Sequence, residues 1–194
     1  LRAARRLRAE ALRHRRAKHR QRLTREILHA GRGVSRTLAD LKSDVAKLES
    51  RGLPLLSDAA DLAALLDIEL KTLRWLTFHR DVASSSHYRQ FQIPKAHGGK
   101  RTISAPRPML RAAQQKIRET ILTHLSPTAQ ANAFVCGRST LTNARPHVRS
   151  SLLVKLDLED FFGTIRFVRV RGFFAALGYS GMCSTLLALL TTEA

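Results

Sequence analysis

The first clear hydrophobic pattern is Val34, Leu38, Leu41, Val45 and Leu48, whose alternating spacings of four and three put one apolar stripe on a packing helix stopped by Gly52 and Pro54. Ser57 is predicted to cap a helix through Leu66, and a second helix from Glu69 through His79 follows a tight break at Asp67 and Ile68. The pattern then changes period. Phe91, Gln92 and Ile93 alternate, Gly98 and Gly99 form a turn, and Arg101, Thr102 and Ile103 follow, as expected of a short hairpin ending at Pro106.

Pro108 suits the first turn of a helix with Leu110, Ala113, Ile117, Ile121 and Leu125 on one face, ended by Ser126 and Pro127. Ser139 is placed to cap a helix running past Asn143 towards His147, and Leu152 to Leu158 then reads as a buried strand with Asp157 at its end. After Phe161 and Phe162, Thr164 is expected to cap a helix carrying Phe167, Val170, Phe174 and Leu177, closed by Gly178, and Ser180 opens the last helix.

Charge changes the picture more than composition does. Among 194 residues, 34 Lys and Arg against 15 Asp and Glu give a net charge of +19, which favours a polyanionic partner. Ten arginines and Lys18 against the single Glu10 lie before residue 26. Arg13, Arg15, Arg16, His19 and Arg20 break any apolar stripe there, so the stretch reads as a solvated helix or an arm that contacts phosphate backbones; a mitochondrial presequence has the same look. No run of about 18 apolar residues occurs, and the Arg-rich start lacks the apolar centre of a secretory signal, so no membrane partner is expected. Cys136 and Cys183 lack metal-ligand spacing and read as small buried hydrophobes in a reduced, cytoplasmic setting.

An aspartate ending an apolar strand and followed by two aromatics is what a polymerase palm needs, because a rigid strand aims one carboxylate at metal ions. Strand-terminal aspartates also serve as helix caps and hydrogen-bond acceptors, so Asp157 alone is ambiguous. The pair of helices around Asp67 has a helix-turn-helix form, and its apolar residues Leu62, Leu65, Leu66, Ile68, Leu70, Leu73 and Leu76 explain packing without DNA.

The ordered set Ile93-Pro94-Lys95, Gly98-Gly99-Lys100-Arg101, Gly137-Arg138-Ser139 and Lys155-Leu156-Asp157-Leu158-Glu159-Asp160-Phe161-Phe162 resembles the motifs of bacterial reverse transcriptases. Asn143-Ala144-Arg145-Pro146-His147 is similar to the Asn-Ala-x-x-His element of the retron type, and the resemblance runs from about Asp61 to Ala194. It implies that Asp157 is the first metal-binding carboxylate of a two-magnesium site, with the Leu158 carbonyl as a neighbouring ligand. Phe162 would be the gate against the ribose 2′-hydroxyl. Lys95 and Arg101 would hold the incoming triphosphate, a solvated turn being the other reading. Arg138 either contacts template backbone or orders its own loop. Asn143 and His147, four apart on one helix face, either bind RNA or lock the fingers to the palm. Glu159 and Asp160 read as solvent or capping residues.

Family members commonly have Gly where Ala133 stands, so a backbone position needing positive φ is expected to be relieved differently here. Neither Gln-Gly nor Tyr-x-Asp-Asp occurs before Ala194, and the chain starts at Leu1 rather than Met, so a fragment cut inside the palm and inactive alone is expected.

The expected architecture is α+β, a right-hand polymerase portion with a basic arm at 1–33, a helical region at 34–90, a fingers-like region at 91–150 and the first part of the palm at 151–194. The activity implied is RNA-directed DNA synthesis on a structured non-coding RNA template-primer from deoxynucleoside triphosphates. It would be set in antiphage defence, with an effector protein as a possible further partner. The rival class is a non-catalytic helix-turn-helix-like nucleic-acid-binding protein, which explains the charge but leaves the Lys95 to Arg101 hairpin and the Asp157 to Phe162 segment unused.

Overall fold

The computed structural model describes residues 2–24, 26–31, 33–78, 86–95 and 98–193, with side chains within the first helix described from position 8 to 21. Among these residues, eight α-helices and one hairpin follow in chain order: α1 Arg2–Leu23, α2 Val45–Glu49, α3 Ala59–Leu65, α4 Leu70–Leu76, β1 Tyr88–Pro94, β2 Lys100–Pro106, α5 Pro108–Thr120, α6 Thr140–Ala144, α7 Phe167–Leu177 and α8 Gly181–Thr191. The result is a mixture of helices and a small two-stranded sheet, as the α+β expectation requires.

Helix α8 is the centre of the core. Its sequence is apolar on every side, and every residue from Met182 to Leu190 is buried, which is how a helix without a polar face is accommodated. It packs against α3, α5 and α7 and against a 3-10 turn at Ser35–Ala39. Its buried hydroxyls are satisfied locally: Ser184 Oγ donates to Tyr179 O, and Thr185 Oγ1 donates to Gly181 O at 2.7 Å. Ser180 opens the helix as expected, its Oγ accepting from Cys183 N at 3.2 Å. Replacing the fully buried Leu186 by Ala should cost about 2–5 kcal/mol through lost transfer energy and the cavity left behind. Urea unfolding of the variant measures this, and a loss below about 1 kcal/mol would remove α8 from the core.

The single helix expected from Val34 to Leu48 does not form. Val34, Leu38 and Leu48 are buried, but Leu41 and Val45 are exposed, and residues 40–44 are not helical. Tertiary hydrogen bonds explain the break. Met182 N donates to Asp40 O at 2.9 Å, Asp44 N donates to Gly178 O at 2.8 Å, Gly181 N donates to the Asp40 carboxylate, and Ser180 N donates to Ser43 Oγ. The segment thus supplies the polar groups that hold the α7–α8 corner, at the expense of its own i to i+4 bonds. Gly178 closes α7 at φ +119°, and a Cβ there would press on Asp44 O at 3.0 Å, so both conformation and space call for glycine.

The cap of α3 is Asp58 rather than Ser57: its carboxylate accepts from Ala60 N and Asp61 N, both at 2.9 Å. Asp67 makes the expected tight break at φ +56°. Helix α4 ends at Leu76, and the expected end at His79 lies outside the described residues. Helix α5 buries Leu110, Ala113 and Ile117 and starts with Pro108 in its first turn, as read from the sequence, but it ends at Thr120 and a 3-10 turn at Leu122–His124 takes the place of the last turn expected before Ser126. Of the two cysteines expected in the core, Cys183 is buried and its thiol is pushed up to about 11 by that burial, whereas Cys136 is exposed in the loop before Gly137.

Candidate nucleotide-binding cleft

The hairpin forms in the expected place, with Ile93 paired to Arg101 and Pro94 to Lys100. Its turn is closed by Lys95 N donating to Gly99 O at 3.0 Å, and Gly98 and Gly99 take φ +90° and +81°. Side chains fix the hairpin to the core. Gln114 of α5 donates from Nε2 both to Tyr88 Oη at 3.0 Å and to Leu190 O of α8 at 2.9 Å. Half-burial of Tyr88 raises its phenol pKa above the ordinary value. On the preceding residue, His87 Nε2 meets Trp75 O at 2.8 Å and the two rings stack edge-on.

The buried strand expected at Leu152 to Leu158 is absent. The segment forms no ladder with any described residue, and it is exposed throughout, Leu156 at 86%. The physical reason is that a strand needs a neighbour to take up its N–H and C=O groups, and β1 and β2 pair only with each other. The apolar run records a capacity for pairing that the described residues do not fill.

Beyond Asp157 the chain turns sharply. Asp160 takes φ +46° and folds its carboxylate back over Gly163, where a Cβ would collide with it. Thr164 N donates to Asp160 O, and Thr164 Oγ1 donates to Phe161 O at 2.7 Å within the 3-10 turn Phe162–Thr164. Thr164 therefore lies inside this turn and does not cap α7, whose first turn follows Arg166 without a side-chain cap. The Phe161 and Phe162 rings meet edge-on with centroids 5.4 Å apart, and Phe162 is 76% exposed.

These two segments face one open cleft of about 1240 Å³. Lys95, Lys100 and Arg101 line it from the hairpin, and Asp157, Glu159, Asp160 and Phe162 line it from the turn. Cations and carboxylates separated by some 60 residues of sequence thus share a space large enough for a nucleotide. Lys100, Thr102 and Ser104 also line the cleft and were missed by the sequence reading. Every residue from Lys100 to Ser104 borders the cleft, so both faces of β2 contribute and no spacing in the sequence marked these three.

The other three candidates lie elsewhere: Arg138, Asn143 and His147 do not line the cleft. Arg138 Nη1 donates to the carbonyls of Thr128 (2.6 Å), Ala129 (3.1 Å) and Ala131, so the guanidinium orders the loop before it. Asn143 Oδ1 accepts from Asn132 Nδ2, and Asn132 Oδ1 accepts from Thr142 Oγ1 at 2.9 Å, tying α6 to that same loop. Asn143 and His147 do not share one helix. Helix α6 ends at Ala144, and His147 closes a 3-10 turn containing Pro146, which has no N–H to continue the helix. The positive φ expected near Ala133 falls on Phe134, at +58°.

Among the described residues no group of three His, Cys, Asp or Glu side chains converges as a metal site, and no helix is long and apolar enough to cross a membrane.

No protein-family model matches the chain. Individual relatives do. The chain is 42% identical over 173 residues to the retron Mx162 reverse transcriptase of Myxococcus xanthus, covering 86% of this chain and 36% of the relative. It is 41% identical over 159 residues to the retron Mx65 reverse transcriptase of the same organism, covering 82% and 37%. With the retron Ec86 reverse transcriptase of Escherichia coli it shares 33% identity over 143 residues, covering 73% and 43%. The chain spans well under half the length of these relatives, and by this likeness over most of its own residues it belongs to the retron reverse transcriptases.

Proposed function

We propose that the protein to which this chain belongs is an RNA-directed DNA polymerase that copies a structured non-coding RNA, and that the cleft between the hairpin and the Asp157 turn receives the incoming deoxynucleoside triphosphate. The observation that carries this reading is the meeting of Lys95 and Arg101 with Asp157 and Phe162 around one cleft. The likeness to named retron reverse transcriptases supports it.

The work of each residue follows from its chemistry. Arg101 offers a planar fork of donors that pairs bidentately with phosphate oxygens, and Lys95 adds a compact positive charge at the hairpin turn. Phe162 presents an exposed ring that can pack beneath the sugar and leave no room for a 2′-hydroxyl. Asp157 and the Leu158 carbonyl are hard oxygen donors of the kind magnesium takes, although the described residues supply too few to complete a site. When bound, such ions supply charge stabilisation at the reacting phosphate. The fingers and partial-palm assignment of 91–150 and 151–194 belongs to this proposal. So does the setting in antiphage defence, which rests on the family resemblance and would be tested by plaque counts with and without the gene.

The test is primer extension by the full-length protein on an RNA template. DNA synthesis that requires the RNA is the expected result. A sequence-selective footprint on duplex DNA without any synthesis would instead establish the helix-turn-helix-like binding protein. Within the same assay, Arg101→Ala should raise KM for the triphosphate by about 10-fold or more, since a charge-assisted bond is worth about 1.5–3 kcal/mol, while RNA affinity stays unchanged. Equal loss of RNA affinity would move Arg101 from the nucleotide to the template.

A further inference from the structure

Helix α1 is not explained by the cleft. It runs for 22 residues, about 33 Å at 1.5 Å per residue, and every described side chain from Arg8 to Gln21 is exposed. Packing therefore does not account for it. At about 100° per residue, Lys18, Arg15, Arg8, Arg16, Arg20 and Arg13 succeed one another around about 220° of its circumference. Glu10, His14, Ala17 and Gln21, spaced by four, three and four, occupy the remaining stripe.

Arg13 and Arg16, Arg15 and Lys18, and Arg16 and Arg20 are like-charged neighbours three or four residues apart, which oppose helix formation in the free chain. A helix that gains little from packing and is weakened by its own charges is stabilised by an external polyanion. The shape of the charge selects which one. An anionic bilayer would require an apolar face, and Leu12 is the one large apolar side chain between Arg8 and Gln21. A cationic arc wider than half the helix exceeds what a flat surface can contact at once. The two phosphate walls of a nucleic-acid groove enclose it.

We propose that α1 is a docking arm for structured RNA, inserted along a groove at an irregular helical stem, with the Glu10–Gln21 stripe turned to solvent. Arginine-rich segments that order on RNA are a known mode of recognition. The choice of RNA over DNA rests on the reading of the protein as an RNA-directed polymerase.

The experiment uses the full-length protein with Arg13, Arg16 and Arg20 all changed to Gln, and a control carrying His14→Gln and Gln21→Ala on the other stripe. Affinity for an RNA hairpin with an internal bulge is measured across a salt series, alongside primer extension at saturating RNA. The triple variant should bind about 10- to 100-fold more weakly at low salt, its log–log salt slope shallower by about two to three, and the control should match wild type. Extension at saturating RNA should be unchanged. An unaltered slope in the triple variant would overturn the docking arm, and a control that weakens equally would overturn the assignment of faces. Equal binding of a DNA hairpin of the same sequence, or tighter binding of anionic phospholipid vesicles, would overturn RNA as the occupant. Because binding is read separately from synthesis, absence of extension in every protein refutes the polymerase reading without bearing on the arm.

Discussion

Asp157→Asn in the full-length enzyme should reduce DNA synthesis by roughly 1000-fold or more while RNA affinity remains at the wild-type level. The amide keeps nearly the shape of the carboxylate and removes its charge. Loss of about 4 kcal/mol of charge stabilisation at the reacting phosphate corresponds to three decades in rate. Asp157 is exposed and lies outside any helix or strand, so the substitution removes no packing, and the melting temperature should not move. Single-turnover incorporation and RNA binding, measured on the same preparation, check both halves. Synthesis within about 10-fold of wild type would exclude Asp157 from the reacting centre.

Phe162→Ala is expected to reduce discrimination between deoxy- and ribonucleotides by roughly 10- to 100-fold, more than it reduces deoxynucleotide incorporation. The ring would be a repulsive element, and its removal should admit the wrong sugar. The competing reading is that Phe162 is merely core, for which truncation would cost about 3–5 kcal/mol and lower both activities together. Its 76% exposure argues against that, because a side chain so open to solvent has little burial to lose. Incorporation of each sugar alongside a melting curve separates the two. A folded variant with unchanged sugar selectivity would refute the gate.

How far the sequence alone reached depends on the range of the interactions concerned. The hairpin and the starts of α5 and α8 were legible because their causes are local: a Gly-Gly turn between alternating residues, Pro108 in a first turn, Ser180 as a cap. The order of the Lys95, Arg101, Asp157 and Phe162 motifs was likewise enough to name the family. What it could not supply was their convergence on one cleft, since the separation of Arg101 from Asp157 is closed only by folding. Local pattern also misled where a distant segment competed for the same backbone groups. The Val34 to Leu48 stripe reads as one helix, yet Asp40 and Asp44 spend their carbonyl and amide on α8 and Gly178. Leu152 to Leu158 reads as a buried strand, yet burial of a strand is a property of its neighbours, and among the described residues it has none. For Arg138 the sequence left two roles open, and three backbone carbonyls brought within reach of one guanidinium nitrogen account for its place in the loop. The sequence thus determined the short-range elements and the chemistry they carry. The tertiary structure decided which backbone groups bond within an element and which bond across the fold, because that depends on partners far along the chain.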